Sequence, residues 1–283
     1  MALREPSIEV IAITVVAGNV PLAQAVQNAL YTRELCGAEV PVHAGREAPL
    51  TRELETAQFV HGEDGMGDIG LPLLGRVPDS EHAVDVLLDE ILASPGEVTL
   101  MTLGPLSNIA EALQREPALA DAVRHCYVMG GTCSGAGNVT GAAEYNFWAD
   151  PEAAQIVVRS GMPLTIVGWD MSVLYAAFGP EDAAALRSLG PLGEFAVDIQ
   201  AKVDVYAREE SKLAGFDLPD PIAMAVAIDP GIARFATHQF DVVAGDGPDR
   251  GRDLVDNATG GQARVTQAVE RQAFVTMLAR ALG

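Results

Sequence analysis

Short apolar runs alternate along this chain with amphipathic segments at helical spacing, and few folds accommodate that order. Apolar runs at residues 8–16, 40–42, 98–103, 125–129 and 164–169 read as strands buried on both faces. Between them, residues 21–35, 82–93, 105–114 and 151–160 carry apolar positions at helical spacing. Their ends are marked by Pro21 and Gly37, by Asp79 or Ser80 as a cap and Pro95-Gly96 as a stop, and by Asp150-Pro151-Glu152 and Gly161. Parallel strands require crossovers long enough to hold a helix, so the pattern predicts an α/β fold with a doubly wound, mostly parallel sheet. Residues 180–227 turn mostly helical, 240–244 and 264–269 read as late strands, and 271–282 as a terminal helix. No internal repeat and no Pro/Gly/Ser-rich linker interrupts the 283 residues, so one domain spanning 1–283 is expected.

Open parallel sheets bind ligands beyond the carboxyl ends of their strands. Asn19, Leu103-Gly104, Met129-Gly130 and Trp169-Asp170 each follow a predicted strand, so four separate pieces are expected to meet at one crevice. The stretch 129–154 adds a polar loop with Asn138, Glu144 and Asn146, a cluster suited to a polyhydroxylated ligand such as a sugar. The alternative is that these side chains only satisfy backbone groups and turns. A second long polar stretch, 45–79, has the length of a lid over a site.

Charge narrows the partners. Asp and Glu total 39 against 18 Lys and Arg, a formal net charge of -21, so phosphate backbones and anionic membranes would repel the surface. Neither nucleic acid nor membrane is an expected partner, and no apolar run approaches the roughly 18 residues of a membrane span. Cys36, Cys126 and Cys133 are odd in number and lack ligand spacing, which argues against a disulfide framework and structural zinc. With no basic-then-apolar segment at the start, a reducing cytoplasm is the expected compartment.

Several segments resemble, in order, those of the nucleoside hydrolases, calcium-dependent enzymes that cleave the N-glycosidic bond of ribonucleosides. They are IAITVVAGN (11–19), HGEDGMG (61–67), GPLSNIA (104–110), VMGG (128–131), GNVTGAAEYNFWADPEAA (137–154), VGWD (167–170) and DPIAMAVAIDP (220–230). The resemblance implies hydrolysis of ribonucleosides to free base and ribose, by a homodimer or homotetramer. It implies a ribose held by Asn19, Met129, Asn138, Glu144 and Asn146, and His61 near the departing base. It also implies Ca²⁺ held in part by Asp220 and the Leu103 carbonyl. For Asp220 a helix cap, for Asn19 a turn, for Met129 core packing and for His61 simple exposure are the structural alternatives.

Three departures qualify this. The family's Asp-x-Asp-x-Gly-x-Asp-Asp, source of further calcium carboxylates and the base, has no counterpart here. Aligned on IAITVVAGN, Met1 falls inside the helix after that motif. A central first strand is then expected to be missing, through a start assigned too late. Pro219 stands where many members have histidine, and the loop between Met129 and Asn138 is one residue longer than usual. Little turnover is therefore expected of this polypeptide, and a catalytically dead nucleoside- or ribose-binding protein is the alternative.

Overall fold

The computed structural model describes residues 1–133 and 135–283. Ser134, inside the loop read as one residue longer, lies outside the described residues. The chain opens with β1 (Ile13–Val15), α1 (Leu22–Leu35) and β2 (Val42–Ala44), a parallel pair joined by a helix. There follow α2 (Gln58–His61), α3 (Ala83–Ala93), β3 (Thr99–Thr102), α4 (Ser107–Arg115), α5 (Leu119–Ala122) and β4 (His125–Met129). The middle of the chain forms α6 (Tyr145–Ala149), α7 (Pro151–Arg159), β5 (Leu164–Val167), α8 (Trp169–Tyr175) and β6 (Ala177–Phe178). Then come α9 (Pro180–Arg187), α10 (Pro191–Asp198), α11 (Ala201–Glu209), β7 (Phe216–Asp217) and α12 (Pro219–Ile228). The last elements are β8 (Ala233–Val242), β9 (Asp253–Val255), β10 (Gly261–Val269) and α13 (Arg271–Leu282).

The main sheet has the order β3-β4-β5-β10-β8-β9. It is parallel from β3 through β10, while β8 and β9 run antiparallel, so the sheet is mixed. Side-chain alternation along β4 divides the core between its two faces. Cys126 and Val128 face a core built with α3, α4, α5 and α7. Tyr127 and Met129 face another built with α8, α12 and α13.

β1 and β2 form a separate two-stranded sheet, with no ladder to β3 among the described residues, so β1 and β3 each keep an open edge. This accounts for the largest difference from the expected elements. The apolar run at 8–16 is laddered only over Ile13–Val15, and Ile11 is 41% exposed, because an extended run becomes a strand only where a neighbour takes its N–H and C=O groups. Other differences are local. The cap of α3 is His82, whose Nδ1 accepts the Val84 N–H, rather than Asp79 or Ser80. The strand expected to reach 169 stops at Val167 because Trp169 begins a helix. β8 starts at Ala233, well before the predicted 240, since its first half is partly exposed and mixed in polarity.

Candidate active site at the carboxyl ends of the strands

The centre of the site is the turn after β4. Gly131 has φ +73°, and a Cβ there would lie 2.9 Å from the Phe147 ring, so only glycine lets this backbone approach α6 so closely. The approach brings the Gly131 N–H 3.0 Å from Glu144 Oε2. Glu144 also caps α6, with Oε1 accepting the Asn146 N–H at 2.8 Å and Oε2 the Phe147 N–H at 3.2 Å. It is only 2% exposed, and burial raises its carboxyl to about 7, against the pull of these three N–H groups and with a further push from the charge on Asp220. Asn146 Nδ2 donates to the Met129 carbonyl at 3.1 Å, and Asn138 Oδ1 accepts the Tyr145 N–H at 2.8 Å.

Met129, Asn138, Glu144 and Asn146 thus form one connected cluster, and part of their polarity does serve the backbone, as the alternative reading held. No partner among the described residues takes Asn138 Nδ2 or Asn146 Oδ1.

Asn19 reaches the same end of the fold by a different route. Asn108, in the first turn of α4, donates from Nδ2 to the Val15 carbonyl at 3.0 Å and accepts the Arg46 N–H at 2.9 Å. This side chain ties β1 to α4 where no ladder does. Beyond it, Gly18 lies against Pro105 and Tyr145, and exposed Asn19 accepts the Ala57 N–H at 3.0 Å. That bond anchors the start of α2, which ends in His61. His61 is half-buried, and desolvation holds its imidazole down at about 4, so it is neutral at pH 7.

Asp220 sits in the first turn of α12, and Leu103 follows β3 with 38% exposure. Burial, and then the charge on Asp217, raise the Asp220 carboxyl to about 7, and no hydrogen bond reaches it among the described residues. Asp217 went unnoticed in the sequence. Its Oδ2 accepts the Trp169 indole N–H at 2.9 Å and the Ser172 hydroxyl at 2.5 Å. The available signal was an acid three residues before Asp220, but its partners are more than forty residues away.

Calcium takes six to eight oxygen ligands. Asp220 and the Leu103 carbonyl offer too few, both Glu144 oxygens are engaged by N–H groups, and no cluster of three or more His, Cys, Asp or Glu suited to a metal occurs among the described residues. The donors present do not fit a self-sufficient calcium site.

Comparisons bear on what this geometry serves. The profile of the family described as inosine-uridine preferring nucleoside hydrolase matches residues 1–276. The pyrimidine-specific ribonucleoside hydrolase RihB of Escherichia coli is 36% identical over 256 residues, 90% of this chain and 82% of its own length. A plant nucleoside hydrolase superposes with TM-score 0.92 at 32% identity, covering 100% of this chain and 93% of that one. The purine-preferring ribonucleoside hydrolase from Gardnerella vaginalis superposes with TM-score 0.91 at 32% identity, covering 99% and 92%. Profile, sequence and fold agree over almost the whole length, and the chain belongs to the inosine-uridine preferring nucleoside hydrolase family.

Proposed function

We propose that this chain binds a ribonucleoside at the carboxyl ends of β3, β4 and β5 and hydrolyses its N-glycosidic bond, releasing free base and ribose. The observation that carries this reading is the cluster of Met129, Glu144 and Asn146 around Gly131, with the Asp220 carboxyl within electrostatic reach. The relatives' names point to both pyrimidine and purine nucleosides, so the proposal covers ribonucleosides as a class.

Cleavage builds positive charge on the sugar, and hydroxyls of a charged ring donate more strongly. Asn146 Oδ1 and the remaining lone pair of Glu144 Oε1 can accept from those hydroxyls, Asn138 Nδ2 can donate to a hydroxyl oxygen, and exposed Asn19 is a further candidate. His61, neutral at pH 7, offers the leaving base a hydrogen bond but has little proton to release, and Pro219 offers none. Asp220, raised to about 7 and without a hydrogen bond among the described residues, is the carboxylate suited to take a proton from water.

Calcium is the ion the family resemblance implies, but the donors among the described residues do not fit it. That same shortage favours a second reading, binding with little cleavage. Three free cysteines, Cys36, Cys126 and Cys133, support a cytoplasmic setting. No helix is long and apolar enough to cross a membrane among the described residues. A homodimer or homotetramer is the assembly that the family resemblance implies.

Calorimetric titration with inosine and uridine, paired with a reducing-sugar assay, tests the proposal. Saturable binding with ribose release supports the hydrolase, binding alone supports the second reading, and no binding of either nucleoside refutes both.

A further inference from the structure

The Trp169–Ser172–Asp217 group has no part in holding the sugar as described so far. Trp169 starts α8 immediately beyond β5, and its backbone N–H donates to the Gly131 carbonyl at 2.8 Å. Gly131 is the residue whose own N–H binds Glu144, so the backbone of Trp169 is tied to the same turn that holds the Glu144 carboxylate. Its Nε1 edge is pinned to Asp217, which is 8% exposed, held in the β6–β7 ladder and bonded at the same oxygen by Ser172. A buried carboxylate that receives an indole N–H fixes the ring plane, because rotation about the side-chain bonds would leave that oxygen short of a donor. Trp169 packs on the core shared with Met129 and stays partly exposed. An immobilised, partly exposed indole at the carboxyl end of β5, beside the turn after β4, is a stacking surface for a flat aromatic group, the sequence-tolerant interaction that proteins use to hold nucleobases.

We propose that Trp169 contacts the nucleobase and contributes to substrate selectivity, and that Asp217 is the residue positioning its ring. The proposal rests on reading the crevice as a nucleoside site. The larger ring system of a purine overlaps an indole more than a pyrimidine does, so Trp169 favours inosine over uridine.

The chain has two tryptophans, Trp148 and Trp169, so protein labelled with 5-fluorotryptophan gives two ¹⁹F resonances, assigned with Trp169→Phe. Inosine should shift the Trp169 resonance saturably while D-ribose leaves it in place. By calorimetry, Trp169→Leu should weaken inosine about tenfold, uridine less, and ribose not at all. Asp217→Ala should weaken inosine severalfold with ribose unchanged, and Asp217→Asn, which keeps an oxygen acceptor, should restore most of the loss. Inosine binding with an unmoved Trp169 resonance overturns the inference alone, and this readout needs only the unmutated chain should a variant fail to fold. Absence of both inosine and ribose binding overturns the nucleoside reading and the inference with it.

Discussion

Replacing Glu144 with glutamine should change stability by an amount that depends on pH, in a direction the site dictates. The folded protein holds the Glu144 proton up to about pH 7, whereas the unfolded chain releases it near 4.5. A raised acid contributes stability that is fully present below the unfolded value and is lost as pH rises through the folded one. Between pH 5 and pH 8 that loss amounts to about 2 to 3 kcal/mol, the unfolded chain being already partly ionised at pH 5. The variant has no proton to lose. Its amide oxygen can take the place of Oε2 and accept the Gly131 and Phe147 N–H groups, but the amide NH₂ then faces the Asn146 N–H, donor against donor. One lost bond with a buried donor unmatched costs about 1 to 3 kcal/mol. Glu144→Gln should therefore be less stable than the parent at pH 5 by about that amount, and equal to it or more stable at pH 8. Asp220 reinforces the trend, since removing a neighbouring charge eases its own burial at high pH. Urea unfolding of chelator-treated parent and variant at both pH values measures the difference. A penalty equal at pH 5 and pH 8 would refute the reasoning, because it would mean that burial does not raise the Glu144 carboxyl above its unfolded value.

Asp150 is fully buried and accepts from Ser107 Oγ at 2.6 Å, Leu50 N at 2.8 Å and Ala153 N at 3.0 Å. Asp150→Ala leaves those donors stranded and should cost about 3 kcal/mol or more, read from urea unfolding; a loss below about 1 kcal/mol contradicts that role. One millimolar Ca²⁺ should stabilise this chain by less than about 0.4 kcal/mol, the value for a Kd equal to the ligand concentration, and a shift of several degrees in Tm would disprove the shortage of donors. Turnover of inosine or uridine should stay below about 1 per second with or without added Ca²⁺, and faster ribose release in the reducing-sugar assay would show that Asp220 and its neighbours suffice to activate water.

Sequence alone determined the alternation of strands and helices and which segments form the parallel core strands β3, β4 and β5. Hydrophobic period and turn residues are local signals, and one parallel sheet brings the loops after β3, β4 and β5, with the candidate site residues they carry, to the same edge. Sequence could not determine what depends on a neighbour. The run at 8–16 reads as one strand, but only Ile13–Val15 has a ladder partner. The loop holding Glu144 reads as polar and irregular, and it becomes the cap of α6 only because Gly131 closes onto it. The carboxyls of Glu144 and Asp220 look ordinary in the chain, and burial in the folded protein is what moves both to about 7. Trp169 and Asp217, far apart in sequence, meet only when α8 and β7 pack beside the same strand ends. A side chain's periodicity is written in its own segment, whereas its ionisation, its hydrogen bonds and the neighbour that makes it a strand or a cap belong to whatever the fold brings next to it.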